Sequence, residues 1–202
     1  LARCVHAFRS KPLGESDIQF VVTTTAGYHK SRVMEGVLAS WAKSLSTTSN
    51  LLFASDVEDS RINATTWPFF EDPEHTTHYY AGLKSILGVK KIIEEKPSTK
   101  WIFASDDDTW VNVERVRHLA AEYDENVPVM IGFVATADYQ PFPWVWGGAG
   151  VLISAAAART LAPVILTPAC PYLNYSDTTL SNCARNNGVM QVHSALFHWD
   201  NP

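Results

Sequence analysis

Trp101-Ile102-Phe103-Ala104-Ser105-Asp106-Asp107-Asp108 sets three consecutive carboxylates directly behind a short apolar run. An aromatic and β-branched run of this length reads as a buried strand. Carboxylates at its carboxyl end would project into the crevice where open α/β sheets take ligands. Three adjoining negative charges repel one another, so the cluster costs stability unless a cation neutralises it. Oxygen-only donors favour a hard divalent ion, Mg2+ or Mn2+, shared with a phosphate-bearing ligand. The competing reading is a solvated acidic turn that caps the next helix. One Asp suffices for a cap, so the triplet favours the metal.

Outward from this stretch, strands and helices alternate. Residues 18–25 read as a strand that ends in hydroxyls. Residues 28–45 read as a helix, with Met34, Val37, Leu38, Trp41 and Leu45 on one apolar face. A second strand covers 51–55 and ends at Asp56, and 56–75 reads as a loop. A helix over 77–95 places Tyr79, Leu83, Ile86, Leu87 and Ile93 on one face, and Pro97 closes it. Behind the triplet, Val113, Val116, Ala120 and Tyr123 mark a further helix. A strand over 129–134, an aromatic and Pro-rich loop over 135–147, and a short strand over 151–153 follow. Ser154 is expected to cap an Ala-rich helix, and Ser176 another that ends near Gly188. Residues 189–192 form the last expected strand. Such alternation implies a mostly parallel sheet flanked by helices. Residues 23–25, Asp56 and the triplet then all fall at strand carboxyl ends and line one crevice. No GxGxxG follows the first strand and no GxxxxGK[ST] occurs, so neither a dinucleotide fingerprint nor a P-loop is present, and a nucleotide held through a metal stays open.

The 202 residues suffice for one sizeable domain, residues 1–202, with a full core. A net charge of −5 argues against a general nucleic-acid binder. No apolar run is long enough to span a membrane, no signal peptide is visible, and the opening Leu1 is expected of an excised or mature form. Cys170 and Cys183 flank a Pro- and Asn-containing loop and are candidate disulfide partners, which leaves Cys4 over. Two sequons, Asn63-Ala64-Thr65 and Asn174-Tyr175-Ser176, point with that pair towards the secretory pathway.

The segment from Lys100 to Asn112 resembles the metal-binding segment of Fringe-type and core-1 β1,3-galactosyltransferase-type enzymes, glycosyltransferase family 31. Thr23-Thr24 with Tyr28-His29-Lys30-Ser31-Arg32 resembles that family's first strand and following helix. Trp146-Gly147-Gly148-Ala149-Gly150 resembles its glycine-rich turn, and Ser176-Asp177 with Leu180, then Leu196-Phe197-His198, resemble two later motifs. The resemblance implies a GT-A (Rossmann-like) nucleotide-sugar transferase fold, Mn2+, a UDP-sugar donor and inversion at the anomeric carbon. By position it implies that Asp108 ligates Mn2+, that Asp106 and Asp107 support the metal and the ribose, and that His198 is a second protein ligand. It further implies a glycan or glycoprotein acceptor, and a Golgi-lumenal setting in a type II membrane protein whose anchor is absent from this chain. A similarly placed cysteine pair in the core-1-type enzymes leans towards galactosyl transfer.

Asp177 is the expected general base, because direct displacement needs one carboxylate on the face opposite the leaving group. The competing reading is a helix start at Ser176 and Asp177. The family usually carries an acidic residue where Ser176 stands. His198 is expected either as a ligand or as part of an aromatic cluster with Phe197 and Trp199, with His193 as a rival ligand. Gly147 and Gly148 would let the backbone approach the donor sugar. Trp144 and Trp146 offer aromatic faces to a sugar or pack the loop. Thr23, Thr24, Arg32 and Asp56 are candidate uridine and phosphate contacts; for Arg32 and Asp56 the alternatives are a solvated charge and a turn residue. UDP-galactose and UDP-N-acetylglucosamine are the leading donors. A non-catalytic sugar-nucleotide-binding relative and a metal-dependent phosphohydrolase are the other functional classes. Loss of Asp177 or the triplet would favour the first, and two-metal ligand spacing the second.

Overall fold

The apolar run after Lys100 is a central strand of a mixed sheet. In the computed structural model, the described residues are 13–67, 78–137, 141–173 and 175–198. The strands are β1 (Ile18–Thr23), β2 (Leu51–Ala54), β3 (Ala64–Thr65), β4 (Trp101–Asp106), β5 (Val129–Gly132), β6 (Val134–Ala135), β7 (Trp144–Val145), β8 (Val151–Ser154) and β9 (Met190–His193). The helices are α1 (His78–Glu95), α2 (Val113–Ala121), α3 (Ala155–Leu161) and α4 (Ser176–Asn186). Among the described residues the main sheet runs β3-β2-β1-β4-β8-β5-β9, and β6 with β7 makes a separate ribbon. Every neighbouring pair in the main sheet is parallel except the two made by β8.

Both faces of the sheet are covered, which is why β1 and β4 read as unbroken apolar runs. Alternate side chains go to opposite faces. Phe20, Trp101 and Phe103 join Trp41, Val116 and Leu119 on one side. Val21, Ile102 and Ala104 pack on the other, with Ile86, Val89 and Ile92 of α1 and Leu161 of α3. Among the described residues no helix is long and apolar enough to cross a membrane.

Several expectations need correction. Residues 28–45 do not form one helix. A wide helix (His29–Val37) carries a Leu38 N–H bond to Val33 O at 2.8 Å, a turn follows, and a short 3-10 segment (Trp41–Ser44) ends it. Ser40 Oγ donates to Gly36 O at 2.7 Å, a back-bond that bends helices. The apolar face survives the break, since Val37, Trp41 and Leu45 are buried and Met34 and Leu38 pack against the same cluster. The expected loop at 56–75 contains β3. The expected strand at 129–134 breaks after Gly132, where the chain switches partners and β6 pairs with β7, inside the expected loop at 135–147. Ser154 does cap α3, its Oγ accepting the Ala157 N–H at 3.0 Å. Ser176 caps nothing: it is the first residue of α4, and the preceding Tyr175 gives no side-chain cap. Cys4, Asn174, Trp199 and residues 68–77 lie outside the described residues, as does the side chain of Tyr79.

Candidate functional site

The strand register sets the site. Thr23 pairs with Ala54 on one side and Asp106 on the other, so the ends of β1, β2 and β4 lie level. The chain beyond each end enters one crevice. Asn112, not the triplet, caps α2, its Oδ1 accepting the Arg115 N–H at 3.1 Å. The capping explanation of the triplet therefore fails, and the three carboxylates have separate surroundings.

Asp107 is buried and fully engaged. It accepts Thr24 Oγ1 at 2.7 Å and Arg32 Nη1 at 2.9 Å. Asp108 is exposed and accepts the same Arg32 Nη1 at 3.0 Å. The guanidinium of Arg32 also lies 3.9 Å over the ring of Tyr28. Arg32 thus supplies part of the counter-charge that the triplet requires, and Asp107 tightens its proton further. Asp106 opens into the crevice and keeps access to solvent. Surrounding protein atoms, then repulsion from Asp108, Asp107 and Asp177, push its carboxyl up to about 7. A carboxyl so crowded by like charges gains from a cation.

Sequence reading missed a second cation. Lys84 of α1 is buried, and its Nζ donates to Thr24 O at 2.6 Å. Burial lowers its pKa, while Asp56, Asp107 and Asp106 oppose that shift. The available signal was positional: a lysine near the start of α1 sits at the carboxyl ends of parallel strands. A further missed group is His29, whose Nε2 lies 2.8 Å from Ser55 Oγ and whose Nδ1 lies 3.2 Å from Asp59 Oδ2. Ser55 Oγ in turn donates to Asp56 at 3.1 Å, and Asp56 accepts the Ala26 N–H at 2.8 Å. Asp56 is therefore a half-buried carboxylate that ties the end of β2 to the turn after β1. Thr23 is sealed in, and its hydroxyl has no hydrogen-bond partner among the described residues.

Asp177 stands in the first turn of α4, across a small cavity from Asp106 that Gly147 and Ser85 also line. Its Oδ2 accepts the Gly147 N–H at 3.3 Å and its Oδ1 the Thr178 N–H at 2.7 Å. Burial raises its pKa, and these N–H groups with the Trp144 indole pull it back. Gly147 has no room to spare, since an added Cβ would lie 3.2 Å from that of Asp177. Gly150 closes the turn at φ +83°, and a Cβ there would meet Phe103 at 2.6 Å. The Cys170–Cys183 disulfide is formed and fastens the preceding loop to α4.

Asp108, Gly148 and His198 line a separate cleft of about 870 Å3, and His198 is exposed to it. The rival His193 is turned elsewhere, its Nδ1 accepting the Val134 N–H at 3.2 Å and its ring set edge-on to Phe133. Asp106 faces the cavity with Asp177, whereas Asp108 and His198 share the cleft. Among the described residues, no three His, Cys, Asp or Glu side chains converge closely enough to hold a metal. The donor chemistry still suits Mn2+, with carboxylate oxygens and one imidazole beside a like-charged, crowded Asp106. Trp144 is buried and packs beside the half-buried Trp146, with ring centroids 6.0 Å apart. The loop-packing reading therefore holds for Trp144.

Comparison with known proteins gives a consistent pattern. The sequence profile described as Fringe-like matches residues 13–201. A mouse protein named β-1,3-glucosyltransferase is 28% identical over 214 residues, covering 99% of this chain and 41% of that protein. Its human namesake is 28% identical over 201 residues, covering 95% of this chain and 37% of the relative. A Xenopus laevis glycoprotein-N-acetylgalactosamine 3-β-galactosyltransferase 1 is 27% identical over 96 residues, covering 46% of this chain and 26% of its own length. The chain thus spans about two fifths of the length of the β-1,3-glucosyltransferases it matches.

Proposed function

The chain belongs to the Fringe-like family, and from that premise we propose that residues 1–202 act as one catalytic domain of an inverting glycosyltransferase. It moves a hexose or N-acetylhexosamine from a UDP-sugar to an acceptor hydroxyl on a glycan or glycoprotein, forming a β1,3 linkage. The observation that carries this reading is the cavity that Asp177 shares with Asp106, the first residue of the triplet, beside the Gly147 turn. A carboxylate on one side and a cation-demanding cluster on the other suit a direct displacement.

Asp108 and His198, which share the cleft, would hold Mn2+, with Asp106 adding negative charge from the neighbouring cavity and Asp107 kept in place by Thr24 and Arg32. When bound, the metal supplies Lewis-acid neutralisation of charge on the departing diphosphate. The acceptor hydroxyl gives its proton to Asp177, its oxygen forms the new bond to the anomeric carbon, and the bond from that carbon to the UDP oxygen breaks. Gly147 and Gly148 let the backbone lie close to the donor sugar. Arg32 and Asp56 face the phosphate and uridine, with Thr23 and Lys84 beneath them. UDP-galactose and UDP-N-acetylglucosamine lead by resemblance, and the names of the mouse and human relatives add UDP-glucose. The setting is the Golgi lumen, with any membrane attachment supplied by an anchor outside this chain. The non-catalytic alternative is less favoured because Asp177 and the triplet are all in place.

The test is UDP release across a panel of UDP-hexoses and UDP-N-acetylhexosamines, with Mn2+ or with EDTA. Release with one donor, dependent on Mn2+, is expected. Release of inorganic phosphate in place of UDP would point to a phosphohydrolase and contradict the proposal.

A further inference from the structure

We infer that Trp110 is the platform of an acceptor-sugar subsite beyond the reacting hydroxyl, a reading that rests on the transfer proposed above. Trp110 leaves 71% of its surface exposed, and Leu196, also on the cleft lining, leaves 51%. Exposed apolar side chains on a cleft rimmed by polar groups suit an interaction site, a ligand groove among them. The cleft floor is apolar, with Phe103 and Phe197, and its rim carries Asn112, Arg115 and Asp108. Apolar floor and polar rim together fit a pyranose, which has a C–H face for an indole and hydroxyls for hydrogen bonds. The volume of about 870 Å3 admits more than one ring.

The loop that bears Trp110 is anchored. Thr109 N–H donates to Asp106 O at 3.3 Å, and Thr109 Oγ1 donates to Gly148 O at 3.1 Å. The neighbouring peptide unit, Gly147, donates to Asp177. Two successive residues of one turn therefore touch the base on one side and the Trp110 loop on the other. A saccharide with its reacting hydroxyl at Asp177 crosses this turn and brings its next rings onto Trp110. The nucleoside end of the donor is assigned elsewhere: Arg32 and Asp56 lie by the ends of β1 and β2, on the opposite flank of β4 from β8. The cleft on the other flank also carries the proposed metal ligands Asp108 and His198, so the diphosphate and the transferred sugar enter beside those two residues, and the exposed Trp110 and Leu196 are left for the acceptor.

Trp110→Ala and Trp110→Phe are compared with the wild-type chain. Binding of UDP with Mn2+ is measured by calorimetry, and binding of para-nitrophenyl mono- and disaccharide glycosides by saturation-transfer NMR. Acceptor KM follows from UDP release with whichever glycoside turns over. For Trp110→Ala we expect about a tenfold loss of glycoside binding and a matching rise in acceptor KM. Trp110→Phe should lie within about threefold of wild type, and UDP binding within about twofold for both variants. Equal glycoside binding by wild type and Trp110→Ala would overturn the inference. So would loss of UDP binding in Trp110→Ala, which makes Trp110 a nucleotide platform, or a dimer that this substitution dissociates, which makes it a contact between copies. Wild-type protein that binds UDP but none of the glycosides also overturns it, while leaving the donor-site reading intact. Absence of UDP binding by wild type would instead defeat that earlier reading.

Discussion

Asp177→Asn is expected to lower kcat/KM by about 10²–10⁴-fold, the usual contribution of a positioned general base, while Mn2+-dependent UDP binding stays near wild type. Among the described residues its hydrogen bonds are to Gly147, Thr178 and Trp144, and it acts on the triplet through charge repulsion at Asp106, so the neutral amide takes no hydrogen bond from the nucleotide side. Asparagine keeps one acceptor oxygen for the two N–H groups, a loss of about 1 kcal/mol. Burial already penalises the ionised form of Asp177 at neutral pH, and the neutral amide relieves that penalty. The two effects oppose each other, and the thermal midpoint should move by no more than about 2–4 °C. The pH profile separates a base from a structural residue. Because burial raises the Asp177 pKa above its usual value of about 3.9, wild-type kcat/KM should fall as pH drops through that raised value. The residual activity of Asp177→Asn should lack this limb. Loss of UDP binding together with turnover would assign Asp177 to the donor site.

Asp108→Ala is expected to abolish Mn2+-dependent UDP binding in calorimetry. Loss of an outer-shell partner to a metal ligand typically costs about 10–100-fold in affinity, so loss of a direct ligand should cost at least about 100-fold. The substitution should leave the fold intact. Asp108 is exposed, its hydrogen-bond partner among the described residues is Arg32, and Arg32 keeps Asp107 and the Tyr28 ring. Asp107→Ala makes an informative contrast. Asp107 is buried between Thr24 and Arg32, so its loss should lower the thermal midpoint as well as metal binding. Unchanged UDP binding in Asp108→Ala would remove this residue from the ligand set.

The parts of this site that were legible in the sequence are those fixed by local pattern. Residues 101–104 had the composition of a strand buried on both faces, and the carboxylates behind it had to lie at its exit. Register then aligned Thr23, Ala54 and Asp106, as expected for level parallel strands. The antiparallel β8 was not legible, because four apolar residues carry no sense of direction. The break near Ser40 was not legible either, since the apolar spacing of Val37, Trp41 and Leu45 continues across it. Lys84 was hidden by its type: a lysine in a helix is usually solvated, and only the placement of α1 over β1 brings it beneath Thr24. Trp110 was hidden for the opposite reason. It follows an acidic turn and looks like core, whereas Trp144, offered as a sugar platform, is the one buried.

The proposed arrangement makes one stereochemical demand. A single carboxylate facing an α-linked UDP-sugar across the Gly147 turn permits one displacement, and one displacement inverts the anomeric carbon. Proton NMR of the first transferred product, recorded before any mutarotation or secondary hydrolysis, reads that carbon directly. The account predicts a β-linked product from the α-linked donor. An α-linked product would require two displacements or a front-face route and would contradict the role given to Asp177.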